Sequence, residues 1–134
     1  MTKGPYATPI PYCDPLRAFA AFSGDPVSAL LDSAAEIGPR GRYAYIAADP
    51  FRVITAAKGG TTVDGCPAAG DPFQVLERQL KMFQMGNDPD LPPFQGGAVG
   101  YLGYELGRHL ERLPPPPEAG LDVPELLIGL YDTI

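Results

Sequence analysis

Glycine and proline constrain this sequence more than any other feature, since 16 glycines and 17 prolines make up about a quarter of its 134 residues. Proline lacks a backbone N–H and glycine favours turns, so neither supports long helices. The remaining composition, 45% apolar and 19% charged, is that of a globular protein. A chain of this length can bury a core of its own. We therefore expect a single domain, 1–134, built from short elements and many turns.

The charge balance and the cysteines exclude several classes of protein. Ten basic and 16 acidic residues give a net charge of −6 without any basic run, which argues against nucleic-acid and membrane partners. Cys13 and Cys66 lie far apart with no CxxC motif, which predicts two reduced thiols and no metal site. Neither a signal-peptide core nor an 18-residue apolar window occurs, so we expect a cytoplasmic protein.

The first third of the chain has clear start signals but an ambiguous apolar run. Residues 1–12 contain three prolines and are predicted to form an extended arm. Asp14 and Pro15 suit the N-cap and first position of a helix over 15–22. Residues 27–34 fit either a helix or a buried strand, and we favour the strand.

Aromatic and β-branched residues follow in short runs. Residues 42–48 and 51–57 are separated by Asp49-Pro50, and we predict a pair of strands joined by a tight turn. A third short strand is expected at Thr61–Asp64, and residues 65–70 are expected to form a turn.

The second half begins with the most regular helical pattern in the sequence, over 71–85. Asp71 is the predicted N-cap and Gly86 the stop. The apolar residues recur at helical spacing and predict one buried face, formed by Phe73, Leu76, Leu80 and Phe83. Further along, we expect one or two helical turns at 104–110, a proline-rich linker at 111–122 and a strand at 125–134.

That final strand ends at Ile134 with no closing turn or polar cap. An apolar strand at a chain terminus is unusual for a complete protein. The sequence therefore indicates the N-terminal piece of a longer protein.

Residues 94–104 form a glycine-rich aromatic run, FQGGAVGYLGY. The spacing does not match the dinucleotide pattern GxGxxG, and no lysine follows as a phosphate-binding loop requires. Glycine lets a neighbouring strand approach closely because it lacks a Cβ. We expect a tightly packed strand at the domain core, formed by Gly96, Gly97, Gly100, Tyr101, Gly103 and Tyr104.

The strongest candidate for ligand binding combines the end of the first apolar run with the loop after it. Asp32 and Ser33 offer a carboxylate and a hydroxyl, while Arg40, Arg42 and Tyr43 add two guanidinium groups and a ring. An arginine can hold a carboxylate and a ring can stack, which suits a zwitterionic aromatic ligand. The alternative, a strand cap with exposed arginines, is favoured by the pattern alone.

Catalytic groups are not evident from the spacing. His109 lies among charged residues, as a solvated surface histidine does, and no nearby serine or cysteine suggests a triad. Glu105 is expected to pair with an arginine or a helix terminus.

Four segments in order carry a family resemblance: LLDSA (30–34), GRYAYIAADPF (41–51), PFQGGAVGYLGYELGR (93–108) and VPELLIGLYD (123–132). Together they resemble the N-terminal domain of the chorismate-using synthases, which include component I of aminodeoxychorismate synthase and of anthranilate synthase. The third segment is the specific one, and the order of the others strengthens the assignment.

The resemblance implies an α+β fold with mixed, largely antiparallel sheets and a few short helices. It also implies that chorismate, Mg²⁺ and the catalytic residues belong to a C-terminal domain absent from this chain, so this chain alone should be inactive. Ammonia would come from a glutamine amidotransferase subunit. The reaction replaces the chorismate hydroxyl with an amino group.

The same resemblance implies a tryptophan pocket formed by Ser33, Arg40, Gly41, Arg42 and Tyr43. Asp32 stands where many anthranilate synthases have glutamate, which is a departure from the family pattern. LLDSA, IAADPF and ELGR favour the aminodeoxychorismate branch. An anthranilate synthase with a tryptophan feedback site and a non-catalytic module that binds an aromatic amino acid remain the alternatives.

Overall fold

The computed structural model describes residues 4–33, 41–114 and 121–134, which form an α+β fold as expected. A small antiparallel sheet pairs β1 (Ala29–Leu31) with β2 (Tyr45–Ala47). A larger antiparallel sheet has the order β5-β4-β3-β7-β6, with β3 at Arg52–Ala57, β4 at Gly60–Val63, β5 at Cys66–Pro67, β6 at Gly97–Leu102 and β7 at Leu126–Tyr131. The helices are α1 (Pro15–Phe19), α2 (Pro72–Met82) and a 3₁₀ helix (Tyr104–His109).

Both α-helices begin where the sequence predicts, because an aspartate caps each one. Asp14 Oδ1 accepts a hydrogen bond from the backbone N–H of Arg17 at 3.1 Å. Asp71 Oδ1 accepts two, from the N–H groups of Phe73 and Gln74 at 2.9 and 3.2 Å. A proline follows each cap, where its missing N–H is not needed. The helices end three residues earlier than expected.

The core lies between α2 and one face of the larger sheet. Its fully buried side chains come from β3, β7 and α2: Ile54, Leu126, Leu130 and Val75. Leu106 of the 3₁₀ helix closes the same cluster. The predicted helix face is correct for Phe73 and Leu76, which pack against this core. It is wrong for Leu80 and Phe83, which do not join this core and are about two-fifths exposed.

The predicted strand pair at 42–48 and 51–57 is wrong. Its first strand pairs with β1, where Ile46 lies opposite Leu30, and its second lies between β4 and β7 in the other sheet. Asp49 has a φ of 53°, in the left-handed region, and with Pro50 it turns the chain from one sheet to the other. β3 has neighbours on both sides, so it has no free edge for β2.

Two tight hairpins connect β3, β4 and β5. Asp64 and Gly65 both have positive φ, 51° and 77°, as a two-residue hairpin turn requires. The Asp64 carboxylate also accepts the Val53 N–H at 2.8 Å and lies 3.3 Å from Arg52 Nε. Residues 65–70, expected to be a turn, therefore contain the short strand β5.

The run predicted as a buried strand at 27–34 contains β1 only at Ala29–Leu31, where Ala29 and Leu30 are half-buried and Leu31 is exposed. Half of the predicted proline-rich linker, residues 115–120, lies outside the described residues. Its start is held by the Arg108 guanidinium, which donates to the backbone oxygens of Leu113 and Pro114. Residues 4–14 contain no helix or strand, as expected of an extended arm.

The glycine-rich strand β6 lies at the edge of the sheet, not at the core. Tyr101 is 41% exposed and Tyr104 is 88% exposed, so the expectation of a packed aromatic core is wrong for both. The close approach of another backbone, which the glycines predict, is nevertheless present between β6 and β7. A Cβ on Gly100 would overlap the Leu127 carbonyl oxygen and lie 2.8 Å from Ile128 Cα.

Strand β7 lies between β3 and β6, and its end contacts the segment that leads into the smaller sheet. Tyr131 is 2% exposed, and its hydroxyl donates a hydrogen bond to the carbonyl oxygen of Val27, just before β1. Its ring crosses Gly129, where a Cβ would lie 2.5 Å from the hydroxyl oxygen. Val27 has a φ of 60°, which is strained for a β-branched residue.

Gly100→Ala should lower the free energy of unfolding by about 1–3 kcal/mol, because the new Cβ forces β6 away from β7. Gly59→Ala is the matched control, since nothing lies within 4 Å of its Cβ position and its φ is not positive. Denaturant melts of the two variants check this. Equal midpoints would show that β6 and β7 are not closely packed.

Tyr131→Phe should cost about 1–3 kcal/mol by leaving the Val27 carbonyl without its donor. Tyr101→Phe, whose exposed hydroxyl donates to Pro124 at 3.0 Å, should cost less. Burial raises the pKa of the Tyr131 hydroxyl above its usual 10.0. The unfolded chain therefore ionises first, and the stability advantage over Tyr131→Phe should shrink as pH rises above 10. An advantage that is constant through this range would contradict the buried environment.

Candidate functional site

A cleft of about 770 Å³ gathers most of the predicted ligand-binding residues. Asp32 and Ser33, just after β1, face Gly41, Arg42 and Tyr43, just before β2. The pairing of β1 with β2 brings the two segments together, since Leu31 lies opposite Tyr45. Arg40, the remaining predicted member, lies outside the described residues.

A hydrogen bond within the cleft links the two segments, and another lies within the first segment. The Ser33 hydroxyl donates to the Tyr43 carbonyl oxygen at 3.2 Å. The Asp32 carboxylate accepts the Ser33 N–H at 2.8 Å through one oxygen. The serine thus positions the tyrosine, and the aspartate presents negative charge at the rim.

Aromatic rings extend from the cleft across the small sheet. The Arg42 guanidinium lies over the Tyr43 ring, 5.4 Å from its centroid. Tyr43 stacks on Tyr45 at 6.0 Å, and Tyr45 meets the edge of Phe94 at 5.6 Å. No carboxylate among the described residues forms an ion pair with Arg42. The arrangement offers a guanidinium for a ligand carboxylate and a ring for stacking.

The N-terminal arm forms the opposite wall of the cleft, which the sequence analysis missed. Ile10 and Tyr12 line the cleft, although Tyr12 is 91% exposed, and Leu16 of α1 adds a third apolar side chain. An arm without regular structure has no periodicity to reveal its contacts. Its sequence signal is the presence of large apolar side chains among prolines.

A second cavity, of about 740 Å³, lies beyond the C-terminal end of α2. Phe51 and Phe83 meet edge to face at 5.0 Å in its wall, with Met82 and Met85 beside them. Gly96 and Gly97 line the opposite side. The apolar helix positions that failed to reach the core, Leu80 and Phe83, line this cavity instead.

Among the described residues, two side-chain pairs involve the 3₁₀ helix. Glu105 pairs with Arg108, as expected, and His109 Nε2 lies 4.0 Å from a Glu125 carboxylate oxygen. In the described part of the chain, no three His, Cys, Asp or Glu side chains are grouped to hold a metal ion. Cys13 and Cys66 are free and exposed. No helix in the described ranges has the length and apolar character needed to cross a membrane.

Comparison with known proteins identifies relatives that span most of this chain. It is 41% identical over 122 residues to aminodeoxychorismate synthase component 1 of Salmonella typhimurium, which is 85% of this chain and 26% of that protein. It is 35% identical over 125 residues to anthranilate synthase component 1 of Acetivibrio thermocellus. That match covers 90% of this chain and 25% of the relative. The Escherichia coli aminodeoxychorismate synthase component 1 is 34% identical over 120 residues, a match that covers 85% of this chain and 26% of that protein. No protein-family model matches the chain.

The chain is therefore a homologue of component 1 of the chorismate-utilising synthases, and the resemblance carried by its motifs is confirmed. It spans about a quarter of the length of these curated relatives.

Proposed function

We propose that this chain is the N-terminal domain of an aminodeoxychorismate synthase component 1, which aminates chorismate with ammonia to 4-amino-4-deoxychorismate. The observation that carries the proposal is the 41% identity to the Salmonella relative of that name across 85% of the chain. The segments LLDSA, IAADPF and ELGR support the same branch. Anthranilate synthase component 1 is the second candidate, favoured by a 35% match over 90% of the chain.

Under this proposal, chemistry on chorismate belongs to the part of the protein beyond the matched quarter. The described residues do not fit a Mg²⁺ site, since their carboxylates are not grouped as ligands. We assign no step of amination to them. A glutamine amidotransferase subunit is the proposed source of ammonia.

The role proposed for this domain is binding of an aromatic amino acid, tryptophan, in the cleft between the arm and the small sheet. Arg42 would hold the ligand carboxylate, and the Asp32 carboxylate would face the ammonium group. Tyr43, whose carbonyl oxygen accepts a hydrogen bond from the Ser33 hydroxyl, would supply a ring for stacking. A cleft of about 770 Å³ is within the usual range for sites that bind small molecules.

Arg42→Ala should weaken tryptophan binding to the full-length protein about tenfold or more, because a charge-assisted contact is lost. Ser33→Ala should weaken it several-fold by releasing Tyr43. Arg112→Ala and Ser28→Ala are controls outside the cleft. Calorimetric titration measures all four. Unchanged isotherms for both cleft variants would remove this pocket assignment without affecting the proposed reaction.

The reaction is tested by incubating the full-length protein with chorismate, Mg²⁺ and ammonium, without amidotransferase, and separating the products by chromatography. Aminodeoxychorismate is the expected product, and the 134-residue chain alone should consume no chorismate. Anthranilate would instead establish the second candidate and would make the cleft a feedback site. Turnover by the isolated chain would contradict the assignment of catalysis to the rest of the protein.

A further inference from the structure

The small sheet that contributes residues to the cleft depends on other parts of the fold for its position. It consists of β1 and β2, which have three residues each. A two-stranded sheet of this size is marginally stable by itself, so contacts with the rest of the protein must hold it. The Tyr45 ring makes one such contact, with Phe94 at 5.6 Å. Another lies just before β1, where the Tyr131 hydroxyl donates to the Val27 carbonyl oxygen.

Val27 is the residue from which the chain enters β1. Its φ of 60° lies in the left-handed region, which is an outlier for a β-branched residue and persists only where surrounding contacts enforce it. The chain just before it forms a turn, in which the Asp25 N–H donates to the Phe22 carbonyl oxygen at 3.0 Å. A released Val27 would relax to a negative φ and change the direction in which β1 leaves this turn.

Tyr131 is placed to enforce the conformation of Val27 from a fixed position. It ends β7, which pairs with β3 on one side and β6 on the other. The residue is 2% exposed, and a buried hydroxyl is costly to leave without a partner. Tyr131 lines the second cavity and does not line the cleft. The effect of its hydroxyl on the cleft therefore passes through Val27.

We propose that Tyr131 is a positioning residue for the cleft, because its hydroxyl holds Val27 in the left-handed conformation from which β1 starts. The chain runs through β1 to Asp32 and Ser33, so a rotation at its start displaces the cleft residues at its end. The Ser33 hydroxyl donates to the Tyr43 carbonyl oxygen at 3.2 Å, which carries the displacement to the other side of the cleft. The consequence for a ligand rests on the proposed function, whereas the positioning rests on the fold alone.

Peptide-resolved hydrogen exchange of the full-length protein tests the positioning without a ligand. In Tyr131→Phe, amides in 28–33 and 42–47 should exchange at least about fivefold faster, while those in 53–63 change less, because the small sheet alone loses its attachment. Tyr101→Phe is the matched control, since it removes a hydroxyl that donates to Pro124 and does not contact the small sheet. An equal increase over both sheets indicates a general loss of stability and overturns the proposal, as does no increase.

Calorimetric titration of the full-length protein with tryptophan tests the consequence for the cleft. Tyr131→Phe should weaken binding about three- to tenfold, since the binding-competent arrangement is then only fractionally populated. Adding Val27→Gly should reduce that loss, because glycine adopts a positive φ without strain and does not need the hydroxyl to hold it. Circular dichroism confirms that each variant is folded at the temperature of titration.

The outcomes separate this proposal from the proposed ligand. Equal binding by the wild-type protein and Tyr131→Phe overturns the positioning role and leaves the pocket assignment intact. A loss that is the same with and without Val27→Gly also overturns it, because the hydroxyl then acts by another route. A wild-type protein that binds no tryptophan contradicts the proposed ligand, while the exchange rates still decide whether Tyr131 positions the small sheet.

Discussion

The hydrogen bond from the buried Tyr131 hydroxyl to the Val27 carbonyl oxygen determines how the two sheets lie against each other. Tyr131 ends β7, an interior strand of the larger sheet, and Val27 leads directly into the smaller sheet. Gly129 makes the contact possible, because a side chain there would occupy the space of the tyrosine ring. The strained φ of Val27 is maintained by this contact and by the strand pairing that follows it.

The candidate cleft depends on this junction. β1 runs from the junction to Asp32 and Ser33, and β2 returns from Arg42 and Tyr43. The position of the small sheet thus sets the distance between the cleft residues and the N-terminal arm. A ligand bound there would contact three separate parts of the chain. Changes at Tyr131 are therefore expected to affect the cleft although this residue does not line it.

The sequence predicted those parts of the fold that local chemistry determines. The capping aspartates at 14 and 71 and the apolar run of β7 gave correct elements, because capping and strand formation depend on neighbouring residues. The partner of β2 was not predictable in this way. Strand pairing is decided by which distant segments compete for an edge, and β7, some 70 residues further on, occupies the side of β3 that a hairpin with β2 would have used.

The same limit applies to the candidate site: the sequence indicates which neighbouring segments contribute to it, but not which distant segments do. Ser33, Arg42 and Tyr43 line one cleft because their segments flank two adjacent strands, and their role in binding a ligand stays a prediction. The arm residues Ile10 and Tyr12 were missed, since their contacts depend on tertiary structure alone. The β6 glycines correctly indicated that another strand approaches closely. The prediction that they lie at the domain core was wrong, because β6 is an edge strand. Glycine indicates that a backbone approaches, and it does not indicate whether the strand lies at the centre or the edge of a sheet.

The position of β7 has a consequence for biosynthesis. The strands β3, β4 and β5 are linked by tight hairpins and can pair as soon as they leave the ribosome. Of the strands that the structure describes, β7 is synthesised last, yet it lies between β3 and β6. Until residues 126–131 emerge, β3 lacks one neighbour and β6 lacks its only described partner. The nascent chain therefore has an unpaired edge on β3, and later also on β6, until β7 emerges, and unpaired strand edges of this kind make a folding intermediate prone to aggregation.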